Sequence, residues 1–183
     1  MDYQKLNLSK LNDELNKFEF GVPFNPDSED YEHEEDYYKS LSKEEMDEYG
    51  MGVCWDFTHY YGRTVPNTKG ILFTVRIKES GLIENNHAFP LIEKNGKFYI
   101  AESAWEKQKG LYEFDTKEEA IETYLALWED YVRESREEDD QEYDLVIYEY
   151  DCTTTELEGL SMDEWLVRVL ENATELELGG SWL

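Results

Sequence analysis

Cys54 sits in the stretch GVCWDFTHYYG, and further along NNHAFPLIEKNGKFYIAESAW carries His87 and Glu102. Cysteine, histidine and acid in that order are the minimum set for an activated thiolate, the nucleophile of covalent acyl chemistry. A thiol is useful in that role only once deprotonated, and a helix N-terminus and a nearby imidazolium both favour the thiolate. Gly50 and Gly52 break the chain ahead of Cys54, so a helix is predicted to start at or near it and to run to about Gly62. With Trp55, Phe57, Thr58 and Tyr61, that helix has too many apolar positions for one exposed face and should be largely buried.

The histidine and the acid are positioned by a hairpin. Asn95-Gly96 is a type I′ turn signal between AFPLIEK and KFYIAE. A two-residue turn pairs Lys94 with Lys97, and counting outward sets Phe89 opposite Glu102. His87 lies two residues from Phe89 and projects from the same face. His87 and Glu102 then become diagonal cross-strand neighbours, roughly 7–8 Å apart at the backbone.

Other elements frame this core. Leu6, Leu8, Leu11, Leu15 and Phe18 recur at mostly three- and four-residue intervals, predicting an N-terminal helix within residues 1–20. Residues 25–40 are turn-forming and densely acidic, an exposed loop or arm in which His33 is solvated among carboxylates. Ser42 and Glu45 form a capping box ahead of a short helix to Tyr49. ILFTVRI and DLVIYEY are strands, and residues 116–134 and 161–172 are flanking helices, the former covering the sheet. The expected fold is α+β: one domain over 1–183, its Cys/His/Glu core at 49–105, with the Cys54 helix packed on an antiparallel sheet of about four strands.

Composition narrows the function classes. The chain has 183 residues, 40% of them hydrophobic, enough for one real core. Its 44 acidic against 17 basic residues give a formal net charge of −27. No direct nucleic-acid binding is expected, because that affinity rests on Lys and Arg releasing counterions from phosphates. The charge favours basic partners, or it keeps an intracellular protein soluble. Two cysteines make no disulfide scaffold, no N-terminal apolar run resembles a secretory h-region, and no window approaches the ~20 apolar residues that span a bilayer. A cytoplasmic protein without membrane association is expected. The Cys and His spacings match no zinc pattern and nothing resembles an EF-hand loop, so neither metal nor cofactor is expected.

GVCWDF around Cys54, NHAF with an aromatic two residues after His87, and GKFYIAESAW around Glu102 together resemble the transglutaminase-like group of papain-like cysteine enzymes, which includes bacterial peptidases and deamidases. The resemblance covers residues 49–105 and is that of a small single-domain bacterial or phage-type member. It implies a papain-like core with Cys54 as nucleophile, His87 as its base and Glu102 orienting the imidazole. Trp55, Asn86 and Trp105 become candidates for lining the cleft or holding the oxyanion. Glu102 replaces the family's aspartate and is one methylene longer, which leaves its rotamer less determined. The chain has no room for the added domains of the large animal transglutaminases, and their calcium dependence is not carried over.

The bland readings are a Cys54 that is a small buried hydrophobe beside Trp55, a core or surface His59 and a structurally buried Cys152. If the site is live, the reaction is acyl transfer through a thioester on a protein or peptide substrate, basic ones being favoured by charge. Water as acceptor gives a peptidase or deamidase, and this is preferred over crosslinking because excluding water from so small a domain's cleft is difficult. The alternative is a non-catalytic acidic protein that binds and blocks a basic partner such as a nucleic-acid-binding surface.

Overall fold

The computed structural model describes residues 11, 13, 15–21, 38–136 and 141–177. Of the predicted N-terminal helix, residues 11, 13 and 15 are described and helical, and Leu11, Leu15 and Phe18 are buried. The acidic arm, except residues 38–40, lies outside the described residues, as do His33 and the tail from Gly179.

The elements run β1 (Glu19–Phe20), α1 (Lys43–Tyr49), β2 (Met51–Gly52), α2 (Cys54–Thr64), β3 (Thr68–Ile77) and β4 (Ile83–Lys94). They continue with β5 (Lys97–Glu102), β6 (Gly110–Phe114), α3 (Lys117–Ser135), β7 (Tyr143–Tyr150), α4 (Met162–Asn172) and β8 (Thr174–Glu175). The fold is α+β, as expected. Each helix that caps well does so through a small polar residue followed by acid: Ser42, Thr116 and Ser161 all accept from a backbone N–H of their own first turn.

The main sheet has six antiparallel strands in the order β6-β5-β4-β3-β7-β8, not about four. The two additional strands are β6, a half-buried edge with little apolar alternation, and β8, only two residues long. Both are edge strands that pairing with a neighbour creates. β1 and β2 form a separate parallel pair.

Apolar alternation divides the sheet between two faces. On one, Ile71, Phe73, Phe89, Leu91 and Ile100 pack with Ile121, Tyr124, Leu125 and Trp128 of α3. On the other, Ile92, Tyr99 and Ala101 meet Phe57, Tyr60 and Tyr61 of α2, while Leu72, Ala88, Tyr148 and Tyr150 meet Trp55 and Trp165. The chain is therefore layered helix, sheet, helix, with α2 and α4 opposite α3. Among the described residues no helix is long and apolar enough to cross a membrane.

The hairpin follows its turn. Asn95 and Gly96 have φ of 55° and 73°, the paired left-handed conformations of a type I′ turn, and Lys94 pairs with Lys97. That ladder ends at Leu91↔Ile100, whereas β4 remains paired with β3 through Phe73↔His87. Beyond that point the register shifts: the next pair is Val75↔Glu84, which leaves one more residue on β4 than on β3. The site residues sit between this bulge and the point where β5 leaves β4.

Two of the histidine and cysteine positions are structural. His59 is fully buried and accepts from Trp165 Nε1 at 3.2 Å, and burial with the nearby Arg63 charge lowers its pKa to about 3. Cys152 is fully buried, and burial beside Asp151 pushes its thiol up to about 12. Cys152 also fixes how closely α2 approaches β7. A Cβ on Gly62 would lie 2.5 Å from the Cys152 carbonyl oxygen and 2.6 Å from its sulfur. Gly62→Ala should therefore lower unfolding free energy by about 1–3 kcal/mol, read as a lower urea midpoint with unchanged slope; an unchanged midpoint would show that α2 is free to shift.

Candidate active site

Cys54 is the first residue of α2, reached through Gly52 and Val53. Val53 has no side chain that can cap the helix, and Asp56 takes over by accepting from the Val53 N–H at 2.9 Å. The same buried carboxylate accepts from the Leu41 N–H at 2.8 Å and from the Tyr38 hydroxyl. Burial raises its pKa to about 6 against these hydrogen bonds. Asp56 thus ties residues 38–41 to the start of the cysteine helix. From the other side β1 holds the loop, with the Gly21 N–H donating to the Gly52 carbonyl oxygen at 3.0 Å. Cys54 itself is half-buried and not in a disulfide.

His87 and Glu102 meet although the ladder ends at Leu91↔Ile100 and the expected Phe89–Glu102 pair does not form: Nε2 lies 2.8 Å from Oε2. Glu102 is 1% exposed, and its carboxylate receives four donors: His87, the Tyr124 hydroxyl at 2.8 Å, and the N–H groups of Ala104 and Trp105 at 2.7 and 2.8 Å. Burial opposes its charge, but the His87 charge and these bonds outweigh burial and hold its pKa below the ordinary value. The longer side chain was expected to leave its rotamer less determined; instead donors from β4, α3 and the residues after β5 fix both oxygens.

The ionised Glu102 accepts only, so Nε2 of His87 must carry the proton that joins them. Nδ1 is left for Cys54. Burial pushes His87 towards neutrality, yet the Glu102 charge, a hydrogen bond with Cys54 and the bond to Glu102 prevail and raise its pKa to about 10. The ring is held by aromatics: it stacks on Trp128 at 5.5 Å and meets Trp105 edge-on at 5.8 Å.

These groups open onto a cleft of about 300 Å³ lined by Phe20, Cys54, Asn86, His87, Ala104, Trp105, Trp128 and Tyr131. Cys54 comes from the α2 face of the sheet, while His87 and Trp128 belong to the α3 face. They meet because β5 has left β4 here. The bulge in β4 lets Asn86 and His87, adjacent in sequence, line the same cleft. Two buried polar atoms of the lining residues, Asn86 Oδ1 and Trp128 Nε1, have no hydrogen-bond partner.

Of the three cleft or oxyanion candidates, Asn86 and Trp105 are in the lining. Trp55 is not. It is 4% exposed and packs between Tyr38 and Trp165, with ring centroids at 6.1 and 5.2 Å. One helical step turns its side chain about 100° from that of Cys54, onto the α4 side. Tyr124, Trp128, Tyr131, Phe20 and Asp56 were not singled out. The available signal was in α3, where Tyr124, Trp128 and Tyr131 fall on one face at spacings of four and three.

Among the described residues, no three His, Cys, Asp or Glu side chains gather as they would around a metal ion. Comparisons of the chain with protein-family models, with curated proteins and with solved structures find no match.

The ion pair gives a definite pH dependence. His87 has a raised folded pKa, so its contribution to stability is complete below the ordinary 6.5 and is lost as pH rises through about 10. Glu102 has a lowered folded pKa, so its contribution is complete above 4.5 and is lost as pH falls through the folded value. The two overlap fully between 4.5 and 6.5. Wild type should exceed Glu102→Gln in melting temperature most within that window, with the gap closing towards pH 10. In NMR titrations the His87 ring should titrate well above 6.5 in wild type and fall markedly in Glu102→Gln. A wild-type ring titrating at 6.5 would show that the carboxylate does not govern it.

Proposed function

We propose that the chain is a transglutaminase-like cysteine enzyme with a papain-like core, acting on an amide or peptide carbonyl through an acyl-thioester, and that it is hydrolytic. The observation that carries this reading is the Glu102 carboxylate, fully buried, filled by four donors and bonded to a histidine that interacts with Cys54. A buried charge is costly to build, and a merely structural histidine does not require one.

In this mechanism the Cys54 sulfur forms a bond to the substrate carbonyl carbon and its proton resides on His87 Nδ1. Glu102 keeps the ring oriented by accepting from Nε2–H and stabilises the imidazolium. The Cys54 N–H, at the first helical position and without an intrahelical acceptor, receives the developing oxyanion. His87 returns its proton to the leaving amine as the C–N bond breaks, leaving a Cys54 thioester. Water then attacks the thioester, giving its proton to His87, and the carboxylic acid and free thiol are released. The open cleft favours water as the acceptor, so peptidase or deamidase chemistry is preferred to crosslinking.

The net charge of −27 motivates a second reading, a protein that blocks a basic partner without catalysis. That role needs neither the cysteine nor the ion pair, and its binding should be salt-sensitive and undiminished by Cys54→Ala.

The test is the rate of iodoacetamide alkylation across about pH 5 to 9, read by intact and peptide-level mass spectrometry. Cys54 should label much faster than an unactivated thiol, and should slow at least about tenfold in His87→Ala. Glu102→Gln should fall between the two. Slow labelling, or a rate that His87→Ala leaves unchanged, sinks the catalytic reading in favour of the binding one.

A further inference from the structure

Six large hydrophobic side chains are well exposed among the described residues, and two of them, Phe20 at 59% and Tyr131 at 45%, line this one cleft. Tyr131 ends a continuous aromatic wall. It stacks on Trp128 at 5.3 Å and meets Trp105 at 5.8 Å, and Trp128 in turn stacks on His87 at 5.5 Å. Phe20, carried by β1 beside the Cys54 loop, completes the rim. Orienting the imidazole requires Trp105 and Trp128 but not exposed rings at Tyr131 and Phe20.

Charge further limits what such a wall receives. The chain's charge of −27 repels anionic ligands and raises the local concentration of cationic ones. Aromatic faces attract cations, Trp and Tyr most strongly, and tolerate the stems of long basic side chains.

We propose that the cleft selects peptides with a lysine or arginine at the acyl group attacked by Cys54, the basic side chain lying against the Trp105 and Tyr131 end of the aromatic wall. This rests on the acyl-transfer reading above. Trp128 lies between Tyr131 and His87 and stacks on both. The Cys54 side of the cleft holds the reacting carbonyl.

Three peptidyl chloromethyl ketones that differ only in carrying arginine, norleucine or glutamate next to the ketone separate the possibilities. Each reports capture as a thioether to Cys54 with loss of chloride, while iodoacetamide, which has no side chain to recognise, reports the thiol itself. The arginine reagent is expected to label about tenfold faster than norleucine, with glutamate slowest, and Tyr131→Leu should cut the arginine advantage severalfold. Equal rates for arginine and norleucine overturn the selectivity, as does an arginine advantage that Tyr131→Leu leaves intact. If iodoacetamide labelling still depends on His87, only the substrate class has failed. Loss of that dependence takes the acyl-transfer reading down with it.

Discussion

A carboxylate removed from water stays ionised only if its lone pairs are filled, and this requirement organises the centre of the molecule around Glu102. Its four donors come from β4, from α3 and from the two residues following Ser103. Each donor fixes an element. The His87 contact holds β4 and β5 together beyond the end of their ladder, the Tyr124 hydroxyl draws α3 onto that end of the sheet, and the Ala104 and Trp105 amides turn the chain out of β5. Charge-assisted bonds are roughly twice as strong as neutral ones, and here they are shielded from solvent. The price of burying one charge is thus met by the same contacts that build the cleft.

Asp56 plays a corresponding part on the other face with a different balance. It also accepts from two backbone N–H groups and a tyrosine, but among the described residues no cation pairs with it. Burial therefore raises its pKa, whereas His87 holds that of Glu102 down. Two buried carboxylates, one paired and one not, end in opposite directions because of a single imidazolium. In an ordinary protein either would be a local matter. In a chain with 44 acidic residues against 17 basic ones, the long-range field disfavours every further negative charge, which makes full local satisfaction more necessary.

Much of this arrangement could be read from local chemistry. Asn95-Gly96 dictates a turn whose register sets His87 and Glu102 on one face of neighbouring strands, and Ser42 with Glu45 marks a helix start to the residue. The glycines before Cys54 placed it at the head of α2. What escaped depends on partners distant in sequence. β6 exists because β5 offers it an edge, and the extra residue in β4 is visible only against β3. The aromatics of α3 read as an ordinary core face, since periodicity shows that residues share a side of a helix but not what lies opposite. Trp55 failed for the converse reason: adjacency to Cys54 in sequence is a turn of about 100° on a helix, and only strand pairs or i+3 and i+4 positions share a side.

The length of the acid at position 102 also has a physical account. An acid one methylene shorter would hold its carboxylate about 1.5 Å nearer the β5 backbone. At the observed donor distances of 2.7–2.8 Å, a retreat of that size would break the bonds to His87 and Tyr124, which come from other elements. It need not break those to Ala104 and Trp105, which lie two and three residues along the chain. The length of Glu102 therefore matches the separation between β5 and its partners where the β4–β5 ladder has already ended. Where the strands part, the cleft opens; where the cleft opens, only the longer acid reaches the histidine from β5.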